Sequence, residues 1–307
     1  MGPLLFDQSS RAKILVTGGD RLGFLSNMLT NDIQSLKPGE GCYAAFLSPT
    51  GRVLADMHVF VLDDTILLHA EVGLADKIIS LLEKFIITED IKLNDVTESY
   101  GLFTLFGPRA ENWAKACSKL PVTIFPEIYL GEKILWILAP RENAGGILSE
   151  ILKAGKPLNG AQIDSRAMEI WRIEHGILHY GIDIDENMLL PETGLEKIAA
   201  NETKGCYPGQ EVVARIKTYG GLHRKITGLI FPKGPIPSKG DKIFGEEKEI
   251  GYVTSACLSP TLDKGIAIGM IAKGFFEKPT TVKIKAGGSI LDAVTTPLPF
   301  VKREARS

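Results

Sequence analysis

The chain has 307 residues, 44% of them hydrophobic and 23% charged, the composition of an ordinary globular protein with room for about two domains. Its net charge of -2 gives no bulk electrostatic case for nucleic acid, so no direct nucleic-acid partner is expected. The four cysteines, Cys42, Cys117, Cys206 and Cys257, lie far apart with no C-x-x-C pair. That argues against a zinc site, a redox dithiol or an iron–sulfur cluster held by this chain alone, and it fits a reducing compartment.

The start, MGPLLFDQSSRAKILVTGG, lacks the basic stretch and long apolar run of a secretory signal. The most apolar segments further on are broken by charges, so a cytoplasmic chain with no membrane span is expected, and a monomer. AKILVTGGD (12–20) reads as a strand entering a turn at Gly18-Gly19-Asp20. In RLGFLSNMLTNDIQSL, Leu22, Leu25, Met28, Leu29, Ile33 and Leu36 recur at helical spacing, and Lys37-Pro38-Gly39 stops the helix. Strands with turns at Pro49-Thr50-Gly51 and Asp63-Asp64 follow, then a helix over 72–86, strands over 91–108 and a helix over 109–120. EIYLGEKILWILAP reads as short strands, AGGILSEILKAG as a helix, and SRAMEIWRIEHGI (165–177) as another. After about residue 222, short β-rich runs punctuated by Gly and Pro predict a small β-barrel or sandwich, with a boundary near Gly220-Gly221. The charged tail KREARS is expected to fray. The fold class is α+β with antiparallel sheets.

Several motifs fail on context. LPETG (190–194) has the letters of a sortase signal, but it lies mid-chain with no hydrophobic tail behind it. Asn201-Glu202-Thr203 is a glycosylation sequon by letters only. His175 and His179 are four apart, yet Gly176 between them weakens a helix, and no metal site is expected.

KGCYPGQE (204–211) carries more. A core cysteine wants apolar neighbours, whereas Cys206 has Lys204, Gly205, Pro208 and Gly209. The glycines permit positive φ, Pro208 can open a helix at Gly209-Gln210-Glu211, and a thiol beside a helix N-terminus and a lysine tends toward thiolate. The segment is either a turn that happens to hold a thiol or a turn built to present one. Glu174, ending a mostly apolar helix, could accept two hydrogen bonds from a fused heteroaromatic ring, or could pair with Arg172 or Lys204. Asp56 falls on the same strand face as Leu54 and His58, as a positioned acid/base or a plain edge charge.

Taken in order, VTGGDRLGFLSNMLTNDIQSLKPGEG, LSPTGRVLADMHVF, RIEHGILHYGIDIDENMLLPETGL, KGCYPGQEVVARI and IGYVTSACLSP resemble the folate-binding YgfZ family, a branch of the glycine cleavage T-protein (aminomethyltransferase) superfamily. The likeness runs from about residue 5 to 295. The signature Lys204, Gly205, Cys206, Tyr207, Gly209, Gln210, Glu211 is complete, and T-proteins lack its cysteine and Gln-Glu. The resemblance implies a three-domain arrangement around a central folate hole: residues 1–50 and 144–220 as a discontinuous α/β domain, 51–143 as a ferredoxin-like domain and 222–307 as a small β-barrel. It implies tetrahydrofolate or a one-carbon derivative as ligand, and Glu174 as the pterin-binding glutamate. It places Asp56 where T-proteins carry their catalytic aspartate. Tyr180 and Lys204 would be pocket-wall residues, and Arg215, with Lys217 and Arg224 nearby, would meet the folate glutamate tail.

The function so implied is a folate-binding accessory protein for assembly, maintenance or repair of iron–sulfur enzymes, including the radical enzymes that thiomethylate tRNA. Cys206 would be presented near the folate, and iron–sulfur client proteins would be its partners. The retained Asp56 keeps open an alternative, a folate-dependent aminomethyltransferase.

Overall fold

The computed structural model describes residues 2–301; the KREARS tail, expected to fray, lies outside the described residues. The chain divides into two compact units. The first takes Thr50 and the residues before it, Leu54–Ser165 and Lys197–Gln210; the second takes Gly51–Val53, Arg166–Glu196 and the residues from Glu211 on.

In the first unit the elements run β1 (Leu4–Asp7), β2 (Ala12–Thr17), α1 (Arg21–Met28), β3 (Gly41–Leu47), β4 (Val53–Val61), β5 (Ile66–Ala70), α2 (Ala75–Glu83), β6 (Lys92–Asp95), β7 (Tyr100–Phe106), α3 (Ala110–Ala116), β8 (Thr123–Tyr129), β9 (Glu132–Pro140), α4 (Ala144–Gly155) and β10 (Ala161–Gln162). They form two five-stranded sheets, ordered β3-β4-β5-β2-β6 and β10-β1-β7-β9-β8. Strand alternation gives each sheet two faces. On the first sheet Ile14, Val16, Ala55, Met57, Val59, Ile66 and Leu68 share an aliphatic core with Phe24 and Leu25 of α1 and Ile78 and Leu82 of α2. On the second, Phe103, Leu105, Leu135 and Ile137 pack with Trp113 of α3 and Ile147 and Ile151 of α4. Each sheet with its helices is thus a ferredoxin-like layer pair.

The alternate residues point the other way, and through them the sheets face each other: Tyr43, His58, Phe60 and His69 meet Phe125, Tyr129 and Trp136.

The second unit carries α5 (Ser165–Glu174), α6 (Leu190–Thr193) and α8 (Gln210–Tyr219), while the short α7 (Glu196–Ala199) falls, but for Glu196, in the first. β11 (Arg224–Phe231), β12 (Lys242–Gly245), β13 (Lys248–Ser259), β14 (Lys264–Ala272), β15 (Thr281–Ala286) and β16 (Ser289–Thr296) follow. These six strands close into a barrel, β11-β14-β13-β12-β15-β16, as the sequence predicts. Its core holds Leu229, Phe231, Ile243, Val253, Ile271 and Ile284.

Three expectations need correction. The cut at 50/51 separates β3 from β4, which are bonded neighbours in one sheet, and the cut at 143/144 separates α4 from the sheet whose core it shares. Pro49-Thr50-Gly51 is the turn between β3 and β4 that the sequence predicts. Gly220 and Gly221, both at positive φ, join α8 to β11 inside the second unit, whereas the units divide earlier, at 210/211. No helix among the described residues is long and apolar enough to cross a membrane.

Candidate functional site

The loop of residues 201–209 is anchored at both ends. Asn201 N–H donates to the Thr30 carbonyl at 3.0 Å, and the Asn201 side-chain oxygen accepts from Thr203 N at 2.8 Å and Lys204 N at 3.0 Å. That oxygen is a turn acceptor, which accounts for the apparent sequon. Lys204 Nζ donates to the carbonyls of Leu29, at 2.6 Å, and Ser26, at the end of α1, and lies 4.9 Å from the Tyr207 ring centroid. Burial pulls this lysine down to about 8, against the opposing pull of Asp32, Cys42 and Cys206. Gly209 adopts φ +80, and Gln210 N–H closes a turn on the Tyr207 carbonyl at 3.2 Å before α8 begins. Gly205 has no left-handed φ and open space where a Cβ would sit, so of the two flanking glycines only Gly209 uses its freedom. Cys206 itself is exposed and free, and lies outside the first turn of α8.

The same unit holds Asp56. It is 6% exposed and accepts from Tyr43 Oη at 2.6 Å. Burial raises its pKa above the ordinary 3.8, only partly opposed by the Tyr43 hydrogen bond; Glu71 raises it further, while Arg11 and His58 lower it. Burial, reinforced by Asp56, raises Tyr43 well above 10. Next along the face, His58 Nδ1 lies 2.8 Å from the Glu127 carboxylate, which also accepts from Trp136 Nε1 at 2.8 Å. His69 stacks on His58 at 4.5 Å. Burial holds its pKa well below 6.5, and neither ring nitrogen has a hydrogen-bond partner among the described residues.

Asn31 joins this cluster to the short helix over Glu196–Ala199: its Nδ2 donates to the Tyr43 carbonyl at 2.9 Å and to the Ile198 carbonyl at 3.0 Å. Cys42, next to Tyr43, feels Glu127 and Lys204, and burial pushes its thiol up to about 12. Neither Tyr43 nor Asn31 stands out in the sequence, because nothing local announces a partner far along the chain.

The second unit holds Glu174 and Tyr180, both buried. Glu174 Oε1 accepts from Ser259 Oγ and from Thr261 N at 3.1 Å; Oε2 accepts from Thr261 Oγ1 at 2.9 Å. Its carbonyl takes Phe300 N and Val301 N at 3.0 Å each. Among the described residues the suggested pair with Arg172 does not form. Arg172 instead binds Glu169 at 2.6 Å and Asp183 at 2.8 Å, while Lys204 belongs to the other unit. Tyr180 Oη donates to Val53 O at 3.4 Å.

The basic cluster does not assemble. Arg224 is committed to Glu192 at 3.0 Å and to the Asn187 carbonyl at 2.7 Å. Arg215 and Lys217, both exposed, are two apart on α8 and so point to different sides. His175 Nδ1 pairs with the Trp171 carbonyl at 2.7 Å, and among the described residues no group suits a metal. The structure therefore brings Asp56, Lys204 and Cys206 into one unit and puts Glu174, Tyr180 and Arg215 in the other.

Residues 3–126 match the GCVT N-terminal domain, and residues 224–302 match the glycine cleavage T-protein C-terminal barrel domain. The chain belongs to the glycine cleavage T-protein superfamily. Within it, an aminomethyltransferase of Listeria monocytogenes is 29% identical over 322 residues, covering 97% of this chain and 86% of the relative. One of Chlorobium phaeobacteroides is 29% identical over 320 residues, covering 97% and 87%. The crystal structure of the glycine cleavage system aminomethyltransferase T from Bartonella henselae superposes with a TM-score of 0.86 at 23% identity, over 98% of this chain and 86% of that one. At that identity the superfamily likeness carries the fold.

Proposed function

We propose that the protein binds tetrahydrofolate or a one-carbon derivative and serves as an accessory protein for the assembly, maintenance or repair of iron–sulfur enzymes, including those that thiomethylate tRNA, with Cys206 as the group it presents. The supporting observation is the loop: a free, exposed thiol on a segment that Asn201 and Lys204 fasten to residues 26–30. A turn of no consequence would not need both anchors. A pterin, with its row of N–H donors, suits the acceptors present. Glu174 Oε2 takes a single hydrogen bond from Thr261 and keeps an acceptor site, since a carboxylate oxygen offers about two. Lys204 and Tyr180 are further proposed contacts, and Arg215 a weaker one since its cluster does not form.

A second reading, aminomethyl transfer, is favoured by Asp56, whose burial makes it a carboxyl able to hold and release a proton. Ammonia release from aminomethyl-lipoyl protein, lost in Asp56→Asn, would establish it.

The deciding experiment is calorimetric titration with tetrahydrofolate. Glu174→Ala is expected to weaken binding by about 1–3 kcal/mol. Because Glu174 also holds Ser259 and Thr261, thermal melts of the same variant must show it folded. Cys206→Ser should leave affinity intact and lower the activity of iron–sulfur enzymes in cells. Absence of wild-type binding would sink the folate claim, and unaffected clients would sink the role of the thiol.

A further inference from the structure

Glu174 is an acceptor whose capacity is largely used inside the second unit. It closes α5, and its side chain meets the turn that leaves Ser259, the last residue of β13. Among the described residues, Oε1 accepts from Ser259 Oγ and from Thr261 N at 3.1 Å, and Oε2 accepts from Thr261 Oγ1 at 2.9 Å. A carboxylate offers about four lone-pair sites, two on each oxygen. Oε1 therefore has its full complement, and Oε2 has one site left.

The helix end is held where this contact is made. The Glu174 carbonyl takes Phe300 N and Val301 N at 3.0 Å each. Gly176, at φ +66, lies so near the same segment that a Cβ there would come within 3.0 Å of Leu298 Cβ. The donors on the other side are unequal. Ser259 is fully buried at 0% exposure, and its Oγ also accepts from Leu262 N at 3.0 Å. That bond fixes the oxygen while its proton serves Oε1. Thr261 is exposed.

A 2-amino-4-oxopteridine presents two N–H donors side by side, the ring N3–H and the 2-amino group. Such a fork docks on a carboxylate with one bond to each oxygen, so it needs a free site on both. Ser259 fills the site on Oε1 that the second donor would take.

We infer that Ser259 limits Glu174 to one N–H of its ligand, so that this subsite reads a single ring N–H and not the amino group beside it. The inference rests on the folate reading above and adds to it the residue that sets what Glu174 can distinguish.

The test is calorimetric titration of the full-length protein with tetrahydrofolate and with its 2-desamino-2-methyl analogue, which keeps N3–H and loses the amino donors. The parent chain should hold the two ligands within about twofold of each other, because only one N–H is bonded in either case. Ser259→Ala opens Oε1 and should bind tetrahydrofolate about tenfold tighter, with the gain absent for the analogue. Thr261→Val opens a second site on Oε2 and none on Oε1, so it should not create a preference for the amino group.

A parent chain that loses about tenfold with the analogue overturns the inference without any variant, which matters because Ser259→Ala also takes the acceptor from Leu262 N. A folded Ser259→Ala that binds tetrahydrofolate no tighter, or an amino preference created equally by Thr261→Val, overturns it too. Both results leave the folate reading standing. Absence of tetrahydrofolate binding in the parent and in the folded Ser259→Ala variant sinks the folate reading and the inference together.

Discussion

Asp56 is held in the fold at a cost that depends on pH. Its folded-state pKa lies above the unfolded value, so the folded chain binds the proton more tightly. That contribution to stability is complete below the ordinary carboxyl value of 3.8 and is lost as pH rises through the raised one. Asp56→Asn cannot ionise and keeps an acceptor for Tyr43. It should be more stable than the parent in urea melts at about pH 8, with the advantage shrinking toward about pH 4. His69 bears a different cost. Its two unpartnered nitrogens are buried among the rings of His58, Phe60 and Trp136. His69→Phe removes both polar atoms and keeps a flat ring. Its thermal midpoint should equal or exceed the parent's, by up to about 1 kcal/mol in stability; a clear drop would show that the nitrogens have a partner.

Elements are fastened by side chains that sequence reading treats as surface charge. Arg172 near the end of α5 binds Glu169, Asp183, Ser255 and the Ile177 carbonyl, and Asp183 in turn accepts from Thr254, Ser255 and the His179 N–H. This fully bonded pair ties α5 and the segment after it to β13. Asp183→Ala, which leaves a buried guanidinium with only the half-exposed Glu169 as counter-ion, should cost about 3 kcal/mol in denaturant melts. Arg172→Met combined with Asp183→Leu should recover much of that loss. The α1 boundary shows where local pattern stops being informative. Apolar spacing continues to Leu36, yet the helix ends at Met28. Thr30 and Asn31 are taken by Ala199, Ile198, Tyr43 and Asn201, partners no window around residue 30 contains.

Across the whole molecule, composition, alternation and turn residues made the α+β class and an all-β C-terminal part legible, and the five segments taken in order made the superfamily legible. The pairing of distant strands was not. Alternation gave Asp56 and His58 a common face, but that this face meets Glu127 and Trp136 depends on two separate sheets coming together. Cys206 was legible for the opposite reason, since its neighbours in the chain already rule out a core. Burial also decides what the decoy motif can do. Leu190, Pro191, Glu192 and Thr193 form α6, all buried, with Glu192 bonded to Arg224 and to the Leu189 N–H. A transpeptidase needs its recognition segment extended and accessible, so the native protein should resist sortase while the denatured chain is cut at Thr193. Cleavage measured along a urea series would then act as a clock for local opening of this segment, giving an unmodified chain a built-in reporter of its own unfolding.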